Sequence, residues 1–435
     1  MDISPSTLTL LVLAVMAVFF VTELVPLAVT AMAGAVVLGL LGVIKTNQVF
    51  TGLANSTVVL FAAMFVIGSA MFHTGLAQFI GTRVVKACGT KEVPLMVGVG
   101  LVTAALSSVS SNTGTCAALM PVIIAVCASA GIPAARQLMP LAFAAGAGGT
   151  ITLVGTPPNI IGNSALSAAN FPTFGFFEFA KIGIPVTFVA IVYMVLVGRH
   201  LLPKSSLSEA DALKAAEAHK GEAVAKTNDP RKMWITGITL IGVVFVMALE
   251  GPIKKMGIGM SLEMAATIGA IILVLTGCLT EQEAYRGIDW VTIFLFAGMM
   301  PVATAMDKSG AGKMIADTVV GMMGQNPSPY VLTAVLFIIS AVLTQFMSNT
   351  ASAALLCPLG ISIANGIGVS PHAVIMAIAI AASCAFATPV GTPPNTLVLG
   401  AGGYRFMDYV KCGLPLVLLE WIVCVALIPM IWPFR

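Results

Sequence analysis

The chain carries the same pair of polar phrases twice, each inside a long apolar stretch. Ser-Asn-Thr stands at 111–113 and again at 348–350, and Gly-Thr-Pro-Pro-Asn stands at 155–159 and again at 391–395. The second phrase follows the first after 44 residues in one half and after 43 in the other. Paired prolines interrupt helices, and a duplicated interruption inside apolar sequence is typical of a transporter whose binding site lies between two repeats.

The composition is that of a helical membrane protein. Of the 435 residues, 58% are hydrophobic and 9% are charged, and the mean hydropathy is +1.01. A soluble domain carries about a quarter charged residues, so a soluble enzyme is excluded. Apolar runs long enough to cross a hydrocarbon core of about 30 Å recur without the alternation of barrel strands. The eight cysteines form no CxxC pair and are predicted to be buried thiols.

The two halves align over most of their length, and the segment 178–185, for example, matches 408–415. Each half contains five predicted crossings and one apolar hairpin with Ser-Asn-Thr at its tip. Because five is odd, the second half is predicted to enter the membrane upside down. The predicted fold class is an all-α polytopic membrane protein, an inverted repeat of five transmembrane helices plus one re-entrant hairpin each. The predicted boundaries are 1–202 for the first repeat (hairpin 93–130, unwound helix 136–167), 203–232 for a polar linker and 233–435 for the second repeat (hairpin 330–367, unwound helix 371–402).

The placement of lysine and arginine predicts the orientation. With the linker 203–232 on the cytoplasmic side, that side holds fourteen Lys and Arg residues and the other side holds seven. Positive residues favour the cytoplasmic loops, so both termini are predicted to be extracytoplasmic. The predicted location is a bacterial-type plasma (inner) membrane, crossed many times. Membrane lipid is then an obligatory neighbour, and nothing in the sequence points to nucleic acid.

The hairpin tips offer two kinds of binding group. A tip ends one short helix and starts another, which leaves free carbonyl groups on one side and free N–H groups on the other. The N–H end suits a carboxylate, sulfate or phosphate, and the carbonyl end suits a hard cation such as Na⁺. Ser107 and Thr344 each precede their tip by about one helical turn, so each can turn a hydroxyl toward the same cation.

Charged residues are missing where the phrases lie. No Lys, Arg, His, Asp or Glu occurs in 93–130, 137–177 or 330–371. A dianion bound there needs a co-bound cation to balance its charge, and a proton relay of the Asp/Glu type is disfavoured. A sodium/proton antiporter would show a buried carboxylate, which the motifs lack. His73, near a helix end, is predicted to have no functional role.

Taken together, these phrases resemble the divalent anion/sodium symporter family of the ion transporter superfamily. The resemblance covers nearly the whole chain outside the linker. It implies a homodimer with scaffold and transport domains that works by an elevator mechanism. It implies two Na⁺ sites, one at Ser107, Ser111, Asn112 and Gly155, and one at Thr344, Met347, Asn349 and Gly391. It implies that the substrate is bound by Asn112, Thr113, Thr156, Asn349, Thr350, Thr392 and Pro393.

The predicted function is secondary active transport and not enzymatic catalysis. An intramembrane hydrolase would need a Ser/His or Asp pair at membrane depth, and Ser111 has no such partner in the sequence. The favoured reaction is sodium-coupled uptake of a small divalent anion, such as the C4-dicarboxylate succinate. The alternatives are sodium-independent exchange of dicarboxylates or tricarboxylates, and another carrier of the superfamily, for sulfate, arsenite or sodium/proton antiport.

Overall fold

A computed structural model shows that the chain folds into helices that pack side by side. The structure describes residues 4–89, 91–203, 212, 214, 229–255, 259–323 and 328–434, and these contain helices and turns without a strand. Seven described helices of 18 or more residues are apolar enough to cross a membrane by length and composition. The chain is therefore a multi-pass membrane protein. Most of the predicted linker 203–232 lies outside the described residues.

The first half contains nine helices. Short 3-10 turns at Thr46–Gln48 and Thr51–Ala54 precede the third. The helices are α1 (Pro5–Thr22), α2 (Leu27–Leu40), α3 (Ser56–His73), α4 (Leu76–Ala87), α5 (Glu92–Ser107), α6 (Asn112–Ala130), α7 (Ala135–Gly149), α8 (Pro157–Ala168) and α9 (Ala180–Leu201, with a π-helical turn at Met194–Gly198).

The second half follows the same order, with two additional short helices among its described residues, at Glu250–Lys255 and Glu281–Arg286. Its helices are α10 (Pro230–Ala248), α11 (Glu250–Lys255), α12 (Leu262–Leu275), α13 (Glu281–Arg286), α14 (Trp290–Ser309), α15 (Ala311–Met323), α16 (Pro329–Leu343), α17 (Asn349–Gly366), α18 (His372–Ser383), α19 (Pro393–Gly402) and α20 (Phe406–Ile431). The hairpins predicted at 93–130 and 330–367 thus correspond to the helix pairs α5–α6 and α16–α17. Whether they turn back within the membrane, and whether the halves are inverted, stay predictions.

Each Gly-Thr-Pro-Pro-Asn phrase separates two helices. Helix α7 ends at Gly149 and α8 begins at Pro157, while α18 ends at Ser383 and α19 begins at Pro393. The prolines occupy the first helical positions, where the missing N–H has no intrahelical partner to lose. The phrase therefore starts a helix and does not kink one, and each interruption leaves several residues of irregular backbone.

The two halves interlock. Helix α2 packs along α14 and α3 along α12, while α8 packs on α17 and α18, and α19 packs on α7. Glycines allow the closest approaches: Gly298 lies against the backbone of Ala31, and Gly52 lies against the carbonyl group of Ala297. Small residues at such crossings are what close packing between membrane helices requires. The interlocking brings the two hairpins and the two interruptions to the centre of the bundle.

Candidate functional site

One cavity lies where the hairpin tips meet the interruptions. It has a volume of about 360 Å³. Its wall includes all seven residues that the family resemblance assigns to the substrate, namely Asn112, Thr113, Thr156, Asn349, Thr350, Thr392 and Pro393. These residues belong to two different halves of the chain and are up to 281 residues apart (393 − 112 = 281). The fold therefore gathers them around a single space large enough for a small organic anion.

Four helices begin at this cavity. The Ser111 hydroxyl accepts a hydrogen bond from the backbone N–H of Gly114 at 3.3 Å, and Ser348 accepts one from Ala351 at 3.2 Å, so each serine caps its helix. Thr156 and Thr392, both in extended conformation, precede the Pro-Pro starts of α8 and α19. The free N–H groups and dipoles of four helix starts make the cavity wall favourable for negative charge.

Several hydroxyl groups in the wall remain available to a ligand. The side chains of Thr113 and Thr350 are half-buried, and no described hydrogen bond uses their hydroxyls. The Thr156 hydroxyl is buried and has no hydrogen-bond partner among the described residues. A buried hydroxyl without a partner is costly, so a bound acceptor would satisfy it.

A cluster of oxygens lies behind the first tip. The Ser107 hydroxyl is 2.5 Å from the Asn112 side-chain amide and donates to the carbonyl oxygen of Ala145 at 2.9 Å. The same end of the Asn112 amide lies 3.1 Å from the carbonyl oxygen of Gly155. Three of the four residues assigned to the first sodium, Ser107, Asn112 and Gly155, therefore meet, and the Ala145 carbonyl joins them. The fourth, Ser111, uses its hydroxyl as the helix cap instead.

The second half repeats this arrangement nearly atom for atom. The Thr344 hydroxyl is 2.8 Å from the Asn349 amide and 2.6 Å from the carbonyl oxygen of Ala382. The amide is 3.1 Å from the carbonyl oxygen of Gly391. Thr344, Asn349 and Gly391 thus meet, whereas the contacts of Met347 place it on the wall of a second cavity shared with Gly391. Only the tertiary fold reveals the Ala145 and Ala382 carbonyls, because every residue carries one.

The two asparagine amides can each be oriented in two ways. With nitrogen toward the cluster, Asn112 donates to Gly155 and Asn349 donates to Gly391, which joins each tip to its interruption. With oxygen there, four oxygen atoms converge, and the hydroxyl of Ser107 or Thr344 is the one hydrogen-bond donor among them, so a bound cation would stabilise the cluster. With its nitrogen inward, the asparagine amide can therefore hydrogen-bond across an empty cluster. With its oxygen inward, it can ligate a hard, oxygen-preferring cation.

Further hydrogen bonds fix the interruptions. The Asn159 amide donates to the carbonyl oxygen of Thr152 at 2.8 Å, and the Asn395 amide donates to those of Thr388 and Ala385 at 2.9 and 2.8 Å. The Thr152 hydroxyl donates to the carbonyl of Ser108 on the neighbouring hairpin. The last residue of each Gly-Thr-Pro-Pro-Asn phrase thus bridges the break in its own helix and keeps the irregular backbone in one shape.

Four titratable or charged residues that belong to neither tip also line the cavity. His73, Glu283, Arg286 and Asp289 all belong to its wall. The His73 ring nitrogen Nε2 lies 3.5 Å from a carboxylate oxygen of Glu283, and Arg286 is exposed. The sequence prediction missed these residues because none lies near a phrase in the chain. They come from the end of α3 and from the segment between α12 and α14, which only the fold brings to the cavity.

Comparison with known proteins settles the family. The model of the citrate transporter family matches residues 17–373 and 346–435, which together cover most of the chain. The chain belongs to this citrate transporter family. An uncharacterized transporter of Haemophilus influenzae is 30% identical over 97% of this chain and 91% of its own length. The family match and these relatives confirm the resemblance to divalent anion/sodium symporters and the assignment as a transporter.

Two further relatives align with nearly the whole chain. The uncharacterized transporter YfbS of Escherichia coli is 27% identical over 97% of this chain and 98% of its own length. The sodium-dependent dicarboxylate transporter SdcS of Staphylococcus saprophyticus is 25% identical over 96% of this chain and 84% of its own length. Two solved structures share the fold: the YdaH transporter of Alcanivorax borkumensis (TM-score 0.63, 17% identity, 98% of both chains) and MtrF of Neisseria gonorrhoeae (TM-score 0.62, 14% identity, 98% of this chain and 95% of the other).

Proposed function

We propose that this family member takes up a small divalent anion together with sodium, most plausibly a C4-dicarboxylate such as succinate. The observation that carries the proposal is the pair of oxygen clusters, at Ser107–Asn112 and at Thr344–Asn349, each directly behind a tip that lines the anion cavity. The name of the SdcS relative, a sodium-dependent dicarboxylate transporter, agrees with this chemistry.

In this mechanism Asn112 and Asn349 would each contact both the cation and the anion. Na⁺ would bind to the hydroxyl, amide and carbonyl oxygens behind the tip, and the anion would bind to the helix starts and threonine hydroxyls in front. Because Asn112 and Asn349 belong to both sets, filling a cluster with cation orders the tip that the anion contacts. Anion affinity then rises with sodium concentration, and sodium affinity rises with anion concentration, as linkage requires. We further propose a homodimer that moves the site across the membrane by an elevator motion.

Uptake into proteoliposomes tests the proposal. Labelled succinate, citrate and sulfate are each offered to the purified protein with an inward sodium gradient and with choline in place of sodium. Sodium-stimulated succinate uptake is the expected result, and empty liposomes control for leakage. Equal succinate uptake in both salts, with acceleration by internal succinate, would contradict coupling and favour anion exchange.

A tricarboxylate such as citrate is the second candidate, favoured by the charged residues of the cavity wall. Arg286 is a fixed cation on that wall and can pair with a third carboxylate that the two tips do not reach. Replacing Arg286 by Gln is then expected to weaken citrate uptake and leave succinate uptake unchanged. Loss of both substrates, or of neither, would remove the reason for preferring citrate.

A further inference from the structure

A single acidic residue lies buried in the last helix, far from the cavity phrases in sequence. Glu420 is in the middle of α20 and is 0% exposed. Apart from the thiol of Cys384, a weak donor, its carboxylate oxygens have no hydrogen-bond partner among the described residues. An acidic side chain within a membrane helix is costly to keep, and one that faces the protein interior marks a functional group by default.

Within the part of the chain that the structure describes, no ion pair and no positively charged side chain is found at Glu420. The titratable groups that interact with its carboxyl are the thiols of Cys384, at the end of α18, and Cys424, one turn along α20. The Cys384 thiol itself donates to the carbonyl oxygen of Ile380 at 3.1 Å. An ionised carboxylate without a cation or a strong donor is unfavourable in an apolar interior, so this conformation stabilises the neutral, protonated acid.

The other helices that pack on α20 keep their titratable groups at its two ends. On α9, Tyr193 donates to the carbonyl oxygen of Cys412, and Lys181 lies over the Trp432 ring. These contacts are 8 and 12 residues from Glu420, or about 12 and 18 Å along the helix. Arg199 and His200 follow Tyr193 at the same end of α9. Helix α16 has one titratable residue, the exposed Tyr330 in its first turn.

Helix α20 packs directly on the interruption of the second half. Gly413 lies against the backbone of Phe386, closely enough that a Cβ atom would collide with its carbonyl group. Glu420, two turns further along, interacts with Cys384 in the same irregular segment. This segment runs on to Gly391, whose carbonyl oxygen belongs to the second oxygen cluster. Glu420 therefore lies behind the backbone that shapes this cluster, without touching the cluster itself.

The first half provides an internal comparison. It has the same glycine contact, because Gly183 lies against the backbone of Thr150 and Ile151. In the alignment of 178–185 with 408–415, however, Ala190 stands where the second half has Glu420, and Ala190 is also buried. The packing of the last helix on the interruption thus needs no acid. The acid is an addition to the second half.

Resting on the transport function proposed above, we infer that Glu420 is a proton-binding residue of the transport cycle. It holds a proton in the conformation seen here and gives it up when filling of the second cluster and the cavity repacks the segment from Cys384 to Gly391. The chemical class of its ligand is the proton alone, since no metal-binding group of three or more His, Cys, Asp or Glu residues occurs among the described residues. Anion transport is then linked to pH through a residue that contacts neither the anion nor sodium.

Calorimetry measures this proton directly. Succinate is titrated into purified protein in NaCl, in two buffers that differ in ionisation enthalpy, across pH 7 to 9, where succinate is already a dianion and brings no proton of its own. For the wild type, the heat is expected to differ between buffers and to give up to one proton released per succinate. For Glu420→Gln, binding is retained and the heat is expected to be the same in both buffers. Asp317→Asn, which removes an exposed acid on α15, is the control and should behave like the wild type.

The outcomes separate the two proposals. Heat without buffer dependence in the wild type, or unchanged buffer dependence in Glu420→Gln, overturns the proton-binding role. No heat from succinate in NaCl would instead overturn the proposed substrate. Infrared spectra of the wild type at pH 7 test the protonation of Glu420 without succinate and without a variant. They therefore decide the question even if succinate does not bind or Glu420→Gln does not fold. Exposed carboxyls are ionised at this pH, so the C=O stretch of a protonated carboxyl is expected from Glu420, and its absence would refute the inference.

Discussion

At the scale of single residues, the cavity wall carries hydroxyl groups that are left without partners. The threonines of the two tips have hydroxyls that no described hydrogen bond uses, and the buried Thr156 hydroxyl has no partner among the described residues. Such hydroxyls can donate charge-assisted hydrogen bonds to a bound anion.

Removing these hydroxyls is expected to weaken anion binding. Thr113→Ala and Thr350→Ala should each cost about 1–3 kcal/mol, the range for a hydrogen bond to a charged group. The apparent affinity for succinate in sodium-driven uptake is the measurement. Thr318→Ala, on the exposed face of α15, is the matched control. Unchanged affinity in both tip variants would mean that the tips are only structural turns.

The hydroxyls behind the tips have a different predicted role. Ser107→Ala and Thr344→Ala each remove one oxygen from a cluster, so we expect both to raise the sodium concentration needed for half-maximal uptake. At saturating sodium, the succinate affinity should return to that of the wild type, because these hydroxyls do not line the cavity. Sodium titrations of uptake at fixed succinate distinguish the two effects. A loss of succinate affinity that sodium cannot restore would place them in the anion site.

At the scale of secondary structure, glycines of the last helix of each half hold the interruptions in place. Gly183 and Gly413 both lie against irregular backbone that precedes a Pro-Pro start. A methyl group at either position would collide with a carbonyl group, and backbone cannot move away as a flexible side chain can.

Gly413→Ala is therefore expected to destabilise the protein by about 1–3 kcal/mol, the usual cost of overpacking, and to abolish uptake. The melting temperature of the detergent-purified protein measures the first effect. Gly242→Ala is the control, because a Cβ atom there meets nothing within 4 Å and alanine favours the helix. A Gly413→Ala protein as stable as Gly242→Ala would show that the contact is not tight in solution.

The sequence predicted the residues that line the cavity at the tips better than it predicted the rest of the cavity wall. The doubled phrases identified Asn112, Asn349 and the residues near them, because serine caps and proline starts are local signals. Arg286 and His73 could not be predicted, since their position at the cavity depends on how α3 and α13 pack. Glu420 had a weak signal, a lone acid in an apolar helix, but its burial depends on α18 and α20 meeting.

At the scale of the whole molecule, the interlocking of the halves is the feature that joins the two half-sites. Neither half alone closes the cavity, since α8 packs on α17 and α18, and α19 packs on α7. If the halves are inverted as the sequence predicts, the two hairpins would enter from opposite faces of the membrane and meet tip to tip.

Cysteine labelling in whole cells tests the inversion. Lys91 precedes the first hairpin and the exposed Lys313 precedes the second. In a background without the eight native cysteines, Lys91→Cys is expected to react only after the membrane is permeabilised. Lys313→Cys should react with an impermeant reagent added outside. The same accessibility for both positions would rule out the inverted arrangement.

The paired composition of the cavity wall has a statistical consequence for the ligand. Asn112 has its counterpart in Asn349, Thr113 in Thr350 and Thr156 in Thr392, so the wall offers two nearly equivalent ends. An anion whose own ends are identical fits in either direction. The second orientation doubles its association constant, which is equivalent to about 0.4 kcal/mol of binding free energy (RT ln 2). An anion with one end altered also has two orientations in such a wall, but in both of them its altered end meets a half-site that does not suit it. Molecular symmetry itself therefore becomes a criterion of selection.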